Sequence, residues 1–261
     1  MLKAHAITVT AGGATLLREA SLAVAPGEIV AVLGENGAGK STLLKVLAGD
    51  LAPRAGGISM NDRPLAAWRP RERARVRAVL PQNAALAFGF TALETVLIGR
   101  YPHSQGAPQA HDYDVARAAL ARLDAGRLEA RIVTTLSGGE LARVQLARVL
   151  AQLWPGEIAG ARYLLLDEPT ASLDPAHQHL ALRVAASLAR EHRIGVIAVL
   201  HDINLAAQYA DRVVLLKHGR VLADGPPRAV LTPEALGACF GIEATVLAHP
   251  RSDRPLVVVD A

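Results

Sequence analysis

A glycine-rich octapeptide lies between an apolar run and a helix-like stretch. The run is Ile29 to Leu33, the octapeptide is Gly34-Glu35-Asn36-Gly37-Ala38-Gly39-Lys40-Ser41, and Thr42 begins the helix-like stretch. The octapeptide fits the pattern G-x-x-x-x-G-K-[ST], whose glycines let backbone N–H groups turn toward phosphate oxygens. Because the amino terminus of a helix also attracts anions, the context indicates a phosphate-binding loop rather than a chance glycine turn.

The loop assigns roles to individual residues. Lys40 is expected to supply a positive charge to the β and γ phosphates, and Ser41 to ligate Mg²⁺. The predicted ligands are therefore ATP and Mg²⁺. The full set of predicted nucleotide-binding residues is Gly34, Glu35, Asn36, Gly37, Ala38, Gly39, Lys40, Ser41 and Thr42.

Short apolar runs typical of buried strands recur along the chain, at Ile29 to Leu33, Tyr163 to Leu166, Ile194 to Leu200 and Val213 to Leu216. Helix-like stretches separate them, which predicts an α/β fold with a mostly parallel sheet and an antiparallel β part. Residues 83–153 differ, because Ala, Leu and Arg recur there at helical spacing. We expect a single domain in which residues 1–82 and 154–261 form a nucleotide-binding core with the helical subdomain 83–153 inserted.

A pair of carboxylates ends the second apolar run. Asp167 and Glu168 follow Tyr163-Leu164-Leu165-Leu166 directly. Taken alone, such a pair is as often a helix cap as a functional site. Beside a phosphate loop, Asp167 is expected to hold Mg²⁺ and Glu168 to polarise the attacking water as a general base.

Leu136-Ser137-Gly138-Gly139-Glu140 precedes a helix-like stretch and predicts a second anion-binding helix start. One phosphate loop and two phosphate-binding helix starts in one chain raise a question of geometry. A symmetric dimer would explain why one chain has both. In such a dimer, the second helix start of one copy closes on the nucleotide of the other copy. The residues of this helix start are Ser137, Gly138, Gly139 and Glu140.

The charge and composition of the chain bear on whether it binds nucleic acid. The formal net charge is +4, and arginines between residues 63 and 77 contribute much of the excess. On a helix, Arg69, Arg73 and Arg77 would share one side with Glu72 interspersed, which indicates a solvated helix. Aromatic residues make up only 3% of the chain, so base-stacking surfaces are scarce and nucleic acid is not an expected partner.

Two further features of the sequence indicate the cellular compartment in which the chain is expected. Cys239 is the only cysteine, so an internal disulfide and a Cys-based metal site are both ruled out. The sequence contains no run of about 18 uncharged apolar residues and no signal-peptide core at Met1 to His5. The chain is expected to remain in the cytoplasm.

Together these motifs resemble the nucleotide-binding domain of ABC transporters over nearly the whole chain. The resemblance rests on the phosphate loop, Leu136 to Glu140, Asp167-Glu168, Ser172-Leu173-Asp174 and His201. It implies an ATPase at the cytoplasmic face of the bacterial inner membrane, homodimeric, bound to a permease dimer and indirectly served by a periplasmic binding protein. Two-domain translation factors and DNA-repair members with a coiled-coil arm fit this chain less well.

The resemblance also implies roles for other residues. Gln82 would sense Mg²⁺ and the γ phosphate, and residues Gln82 to His103 would contact the permease. Ser172, Leu173 and Asp174 would lie at the dimer interface. His201 would touch the γ phosphate, although an isolated histidine of this kind is more often a capping or core residue.

Three stretches are similar to importer ATPases for iron chelates, cobalamin and haem: Ala78 to Gln82, Thr95 to His103 and Leu200 to Ala206. Leu150 to Pro155, the added residues before Arg162 and Asp174 to Gln178 resemble the haem importers of Gram-negative bacteria. Haem uptake is therefore expected, with siderophore or cobalamin import as the alternative. His177 and His179 are predicted to be surface residues rather than cargo ligands.

One position departs from the family pattern. Val9 aligns with the aromatic residue that stacks on adenine in most members, and His5 is a second candidate for that role. Without a stacking ring, phosphate contacts should dominate affinity and discrimination between ATP and GTP should be poor. Replacing Val9 with tyrosine is expected to tighten ATP binding.

Overall fold

A computed structural model describes residues 1–82, 89–104, 106–154 and 160–260. The strands of the described residues are β1 (Leu2–Ala11), β2 (Ala14–Val24), β3 (Ile29–Leu33), β4 (Ala55–Met60), β5 (Arg63–Pro64), β6 (Arg77–Leu80), β7 (Arg162–Asp167), β8 (Ile194–Val199), β9 (Arg212–Lys217), β10 (Arg220–Gly225), β11 (Ala244–Ala248) and β12 (Pro255–Val259). The α-helices are α1 (Lys40–Ala48), α2 (Pro70–Val76), α3 (Ala92–Ile98), α4 (Ala110–Arg122), α5 (Gly138–Gln152), α6 (Pro175–His192), α7 (Ile203–Tyr209), α8 (Pro227–Val230) and α9 (Pro233–Phe240).

The central sheet has the order β10-β9-β3-β8-β7-β6. Every neighbouring pair is parallel except β10 and β9, which are antiparallel. All residues of β3, β7 and β8 are buried, as continuous apolar runs covered on both faces should be. The predicted parallel strands are therefore present, each within one or two residues of its expected bounds.

A second, antiparallel sheet has the order β2-β1-β4-β5. Residues along β1 alternate between buried and exposed, with a bulge near Ala6, whose φ of 46° is left-handed. The alternation turns Ile7 and Val9 into the core, where Val9 is 2% exposed. Val9 is thus a core residue. His5 is exposed on the same strand.

Helices α3, α4 and α5 occupy the chain between β6 and β7 and pack on one another. Arg100, which follows α3, connects the other two helices: its Nε donates to Asp112 Oδ1 of α4 at 2.9 Å in a buried ion pair, and its Nη1 donates to the Ala151 carbonyl of α5 at 2.8 Å. Their apolar residues belong to the same core cluster as the sheet. That residues 83–153 form a separate subdomain remains a prediction.

The arginines near residue 70 agree with the expected solvated helix except at Arg77. Helix α2 ends at Val76, so Arg77 is the first residue of β6 and is buried. Burial lowers the pKa of the Arg77 guanidinium to about 10. Arg71 and Arg75 each donate to the carbonyl of Pro102. The expectation of a solvated arginine helix was therefore wrong for Arg77, whereas Arg71 and Arg75 are exposed and also tether the 101–104 loop.

The β11–β12 hairpin packs Ala244 and Val257 into the core and is hydrogen-bonded to the side chain of Asn204. Asn204 Nδ2 donates to the Val257 carbonyl at 3.0 Å, and the Val257 N–H donates to Asn204 Oδ1 at 2.8 Å. Among the described residues, no helix has both the length and the apolar character needed to cross a membrane.

Candidate active site

Four segments that follow parallel strands supply the predicted catalytic groups. The phosphate loop follows β3, Gln82 follows β6, Asp167 and Glu168 end and follow β7, and His201 follows β8. Because the carboxyl ends of neighbouring parallel strands meet at one edge, these groups surround a common cleft. The cleft has a volume of about 580 Å³, and its lining includes Leu16, Asn36, Gly37, Gly39, Lys40, Ser41, Thr42, Gln82, Glu168 and His201.

The phosphate loop is shaped by close packing against its neighbours. A Cβ on Gly34 would lie 2.2 Å from the Leu216 carbonyl oxygen, and one on Gly39 would lie 2.8 Å from that of Leu16. Both positions therefore require glycine. Around Gly37 nothing lies within 4 Å of such a Cβ, so the loop is open where phosphate oxygens would enter.

Lys40 already holds the loop together. Its ammonium donates to the carbonyls of Gly34 at 2.7 Å and Glu35 at 2.8 Å, and the residue is 6% exposed. Burial lowers the pKa of Lys40, while the negative charges of Glu168 and Asp167 oppose that shift. The cation is thus placed at the loop before any phosphate arrives.

The predicted Mg²⁺ ligands are all oxygen donors, as this hard cation prefers. Ser41 Oγ lies 3.1 Å from Asp167 Oδ1, and Gln82 lines the same cavity as both. Burial raises the pKa of the Asp167 carboxyl, the Ser41 hydrogen bond opposes the shift, and Glu168 reinforces it. A divalent cation beside Asp167 would offset the cost of this buried negative charge, so the donor set fits Mg²⁺.

Glu168 and His201 form a direct pair. His201 Nε2 lies 2.8 Å from Glu168 Oε1, and the side chains are 46% and 14% exposed, respectively. Glu168 has a φ of 52°, an unusual conformation for a residue other than glycine that places it outside the strand geometry of β7. Such outliers concentrate at functional sites.

Asp167 and Glu168 do not cap the helix that follows them. The cap of α6 is Asp174, whose side chain accepts from the His177 N–H at 3.0 Å. His201 is likewise not a cap, because Asp202 caps α7. His177 and His179 are partly exposed and bonded locally, to Asp174 at 2.7 Å and to the Tyr209 hydroxyl at 2.8 Å.

Ser137 is the N-cap of α5 and forms a reciprocal capping box with Glu140. The Glu140 N–H donates to Ser137 Oγ at 3.3 Å, and the Ser137 N–H donates to Glu140 Oε2 at 3.0 Å. This backbone hydrogen bond lowers the pKa of Glu140. Ser137 and Gly138 are exposed, so the helix start is accessible from outside the chain.

The helix start of α5 touches the predicted interface segment of the same chain. A Cβ on Gly139 would lie 3.0 Å from the Ser172 carbonyl oxygen, so glycine permits this approach. A second cleft of about 310 Å³ runs beneath it, with Gln82, Gly138, Glu168 and Ser172 in its lining. Gln82 therefore borders both the phosphate-loop cleft and the cleft under α5.

Neither candidate for adenine stacking lines the phosphate-loop cleft. Val9 is buried in the core and His5 lies on β1 outside the lining, so this part of the sequence interpretation was wrong. From the antiparallel sheet, the residue that lines the phosphate-loop cleft is Leu16 of β2, which the sequence analysis did not identify. Its position depends on a contact with Gly39 that no local sequence pattern signals.

The family model described as ABC transporter matches residues 17–171 of this chain. The chain belongs to the ABC transporter family. Its members' ATP-binding proteins hydrolyse ATP, and this chain is accordingly an ATPase.

Relatives of this ABC transporter protein match it from end to end. The hemin import ATP-binding protein HmuV of Gloeobacter violaceus is 55% identical, covering 99% of this chain and 94% of that protein. The protein of the same name from Burkholderia ambifaria is 51% identical, covering 100% of both.

Solved ABC transporter structures share the fold. An inward-facing transporter of the metal-chelate type has a TM-score of 0.82 at 30% identity, covering 100% of this chain and 97% of its own. A dimeric bacterial cassette has a TM-score of 0.77 at 27% identity, covering 87% and 98%. The predicted α/β phosphate-loop ATPase fold is therefore confirmed.

Proposed function

We propose that two copies of this chain bind two MgATP between them and power haem uptake through a membrane permease. One observation carries the proposal. The same chain has a complete cluster of polar groups at the strand ends and, separately, an accessible helix start that is suited to binding an anion. The cluster comprises the phosphate loop, Gln82, Asp167, Glu168 and His201. The start of α5 has exposed Ser137 and Gly138, as a group that serves another copy's nucleotide would need.

The chemistry follows from the placement of the side chains. In the role of general base, Glu168 accepts a proton from the attacking water. His201, 2.8 Å from Glu168, orients that water and stabilises charge on the γ phosphate. Lys40 exchanges its loop carbonyls for β and γ phosphate oxygens.

Ser41, Gln82 and Asp167 would hold Mg²⁺. When bound, the ion neutralises charge on the β and γ phosphates and helps to align them for displacement. Gln82 also borders the cleft under α5, so it is placed to register both the presence of nucleotide and the position of the helical segment.

At the interface, the start of α5 would cap the partner's nucleotide, with Ser172, Leu173 and Asp174 crossing between copies. The contact between Gly139 and Ser172 within one chain makes these two segments a continuous surface. One related cassette has been solved as a dimer, including in a post-hydrolysis state bound to ADP and Pi.

The proposed permease contact is residues 82–103, of which 83–88 lie outside the described residues. The described part presents Phe90, Ile98 and Tyr101, which are 38%, 42% and 73% exposed. Large apolar side chains with this exposure suit a docking face. The same segment is tethered to the core, since His103 Nε2 lies 2.8 Å from the Gln152 carbonyl and Gln152 Nε2 donates to the Ala74 carbonyl at 2.7 Å.

Replacing Ile98 with glutamate and Tyr101 with alanine should lower the amount of permease that co-purifies with the chain by about tenfold, because interface anchors carry most of the binding energy. The ATPase rate of the chain alone should stay close to wild type. Leu222→Glu is the matched control, since Leu222 is 45% exposed on β10. Undiminished co-purification of the double variant would place the contact elsewhere.

Haem is proposed as cargo because the full-length relatives are hemin import proteins. Siderophore iron and cobalamin are the alternatives. In this assignment the chain sits peripherally at the cytoplasmic face of the inner membrane, and the periplasmic binding protein acts on it only through the permease.

The test is to co-express the chain with its permease and binding protein and to reconstitute the complex in proteoliposomes. ATPase activity should rise with hemin-loaded binding protein, and the absorption spectrum of the purified binding protein should be that of haem. Lys40→Ala provides the inactive control. Stimulation by cobalamin or a ferric siderophore, with none by hemin, would reject haem as the cargo.

A further inference from the structure

The ring of His177 lies between two carboxylates that come from different parts of the chain. Its Nδ1 is 2.7 Å from Asp174 Oδ2, and its Nε2 is 3.5 Å from Asp124 Oδ2. Asp174 is the N-cap of α6, whereas Asp124 follows α4 and has a left-handed φ of 51°. The His177 side chain is 26% exposed, so the ring is partly enclosed. One imidazole therefore joins the start of α6 to the turn after α4.

The turn after α4 is in turn fastened to α5. Arg143 lies within α5 and is buried, and its Nη1 donates to the carbonyls of Leu123, at 3.4 Å, and Asp124. The same Nη1 is 3.4 Å from Asp124 Oδ2. A buried guanidinium needs such partners, so the turn is held to α5. The contact that His177 makes with Asp124 thus reaches α5.

The bridge joins two segments that the proposed dimer uses together. Asp174 ends the predicted interface segment and follows Glu168 in the chain, whereas α5 carries Ser137 at its start. The same two segments also meet at a second place, where a Cβ on Gly139 would lie 3.0 Å from the Ser172 carbonyl oxygen. That approach involves backbone and cannot titrate. The bridge through His177 can.

The bridge depends on the charge of the imidazole. Only the imidazolium has an N–H on both nitrogens, whereas a neutral ring would turn a lone pair toward one of the two carboxylates. The charged groups around the ring are Asp174 on its own helix, Asp124 from the turn after α4, and Arg143 of α5 behind Asp124. The hydrogen bonds from the His177 side chain and backbone N–H lower the pKa of the Asp174 carboxyl. The bridge is therefore complete while His177 is protonated and is broken as the pH rises.

We propose that His177 is a positioning residue for ATP hydrolysis. It holds the interface segment of a chain against the helical segment that carries Ser137, so that both meet the partner copy in one arrangement. His177 acts through Asp174 and Asp124 and does not touch the nucleotide. The inference rests on the proposed dimer, but it is independent of the cargo.

Two variants remove the bridge from opposite sides. His177→Gln keeps the backbone N–H that Asp174 caps, and Asp124→Gly suits a φ of 51° and leaves the backbone carbonyl that Arg143 contacts. At about pH 6, each should lower kcat for ATP by about two- to fivefold, the range for a partly exposed ion pair, without a change in KM. Because both act on one contact, the double variant should be no slower than either single variant.

The pH profile separates positioning from a general loss of packing. Histidine ordinarily titrates between about pH 5 and 8, so the rate of Asp124→Gly relative to wild type should be lowest at acid pH and approach one at alkaline pH. Titration of His201 affects both proteins and cancels in this ratio. Asp124→Asn should retain most of the rate, since its amide oxygen accepts a hydrogen bond and asparagine tolerates the left-handed conformation. His179→Gln is the matched control, because His179 lies on the same helix but bonds the Tyr209 hydroxyl, and its ratio should stay near one throughout.

Wild-type kcat in both His177→Gln and Asp124→Gly would overturn the proposal, whether or not their thermal stability falls. A loss that is equal at every pH, or additive in the double variant, would also overturn it. Ser137→Arg, measured in the same series, separates this result from a failure of the dimer model. If Ser137→Arg is inactive and the bridge variants turn over normally, only the role of His177 is rejected. If Ser137→Arg turns over normally, the shared site and the bridge proposal fall together.

Discussion

Glu168→Gln is expected to lower the rate of ATP hydrolysis by about 10²- to 10⁴-fold, the range that a general base contributes. The amide keeps the size of the side chain and its ability to accept a hydrogen bond from His201, but it cannot take a proton from water. Glutamine meets the same backbone strain at a φ of 52°, so the fold should be unaffected. Phosphate release in MgATP measures the rate.

The same variant should accumulate as a dimer on size exclusion in MgATP, because nucleotide still binds and reopening requires hydrolysis. Glu191→Gln, a change at an exposed position near the end of α6, is the control and should turn over normally as a reversible dimer. Turnover near the wild-type rate in Glu168→Gln would remove Glu168 from the role of base.

Ser137→Arg should abolish turnover while leaving a folded protein. A long cationic side chain at the exposed start of α5 would block the approach of the partner's nucleotide. Loss of the capping hydrogen bond to the Glu140 N–H costs about 0.5–2 kcal/mol, too little to unfold a domain of this size. The measurements are phosphate release and thermal unfolding, with ATP binding to the separate chain expected to be unchanged.

Thr232→Arg supplies the matched control, because Thr232 caps α9 through the Ala235 N–H at 3.2 Å, outside the nucleotide clefts. It should show a similar small loss of stability with normal turnover. Ser137→Ala distinguishes loss of the helix cap from steric blocking of the interface, because it removes the capping hydroxyl without adding bulk. A folded Ser137→Arg protein with wild-type activity would contradict a site shared between copies.

The parallel strands could be predicted because they are buried on both faces and therefore read as continuous apolar runs. The antiparallel sheet could not be bounded in the same way, since β1 alternates between core and solvent and carries a bulge at Ala6. Because of that alternation, the side chain of Val9 is buried in the core. Family alignment places it at the nucleotide, whereas its side chain packs with the core around Ile7 and Leu17.

The clustering of the proposed catalytic residues was predictable for a related reason. Its members follow strands directly, so the parallel topology alone brings Asp167, Glu168 and His201 together. Their pairing distances depend on local backbone geometry, such as the left-handed φ of Glu168. The approach of Gly219 to Leu16 beside the phosphate loop had no sequence signature, because these residues lie about 200 positions apart and meet through backbone contacts.

Two of the stretches that resemble importers of iron chelates, cobalamin and haem, Thr95 to His103 and Leu200 to Ala206, make contacts inside the chain. Arg100 bonds Asp112, His103 bonds the Gln152 carbonyl, and Asn204 holds the C-terminal hairpin. These contacts explain the residue types in structural terms, without a role in binding cargo.

The separation of the strand-end groups from the start of α5 has a genetic consequence. In the proposed dimer, each chain lends its Glu168 to one site and its Ser137 to the other. Two alleles, one defective at Glu168 and one at Ser137, would therefore place both lesions in one site of a mixed dimer and leave its other site intact. Mutations that each silence a pure dimer would thus partly complement one another in a cell that carries both, whereas two alleles with lesions in the same half would not.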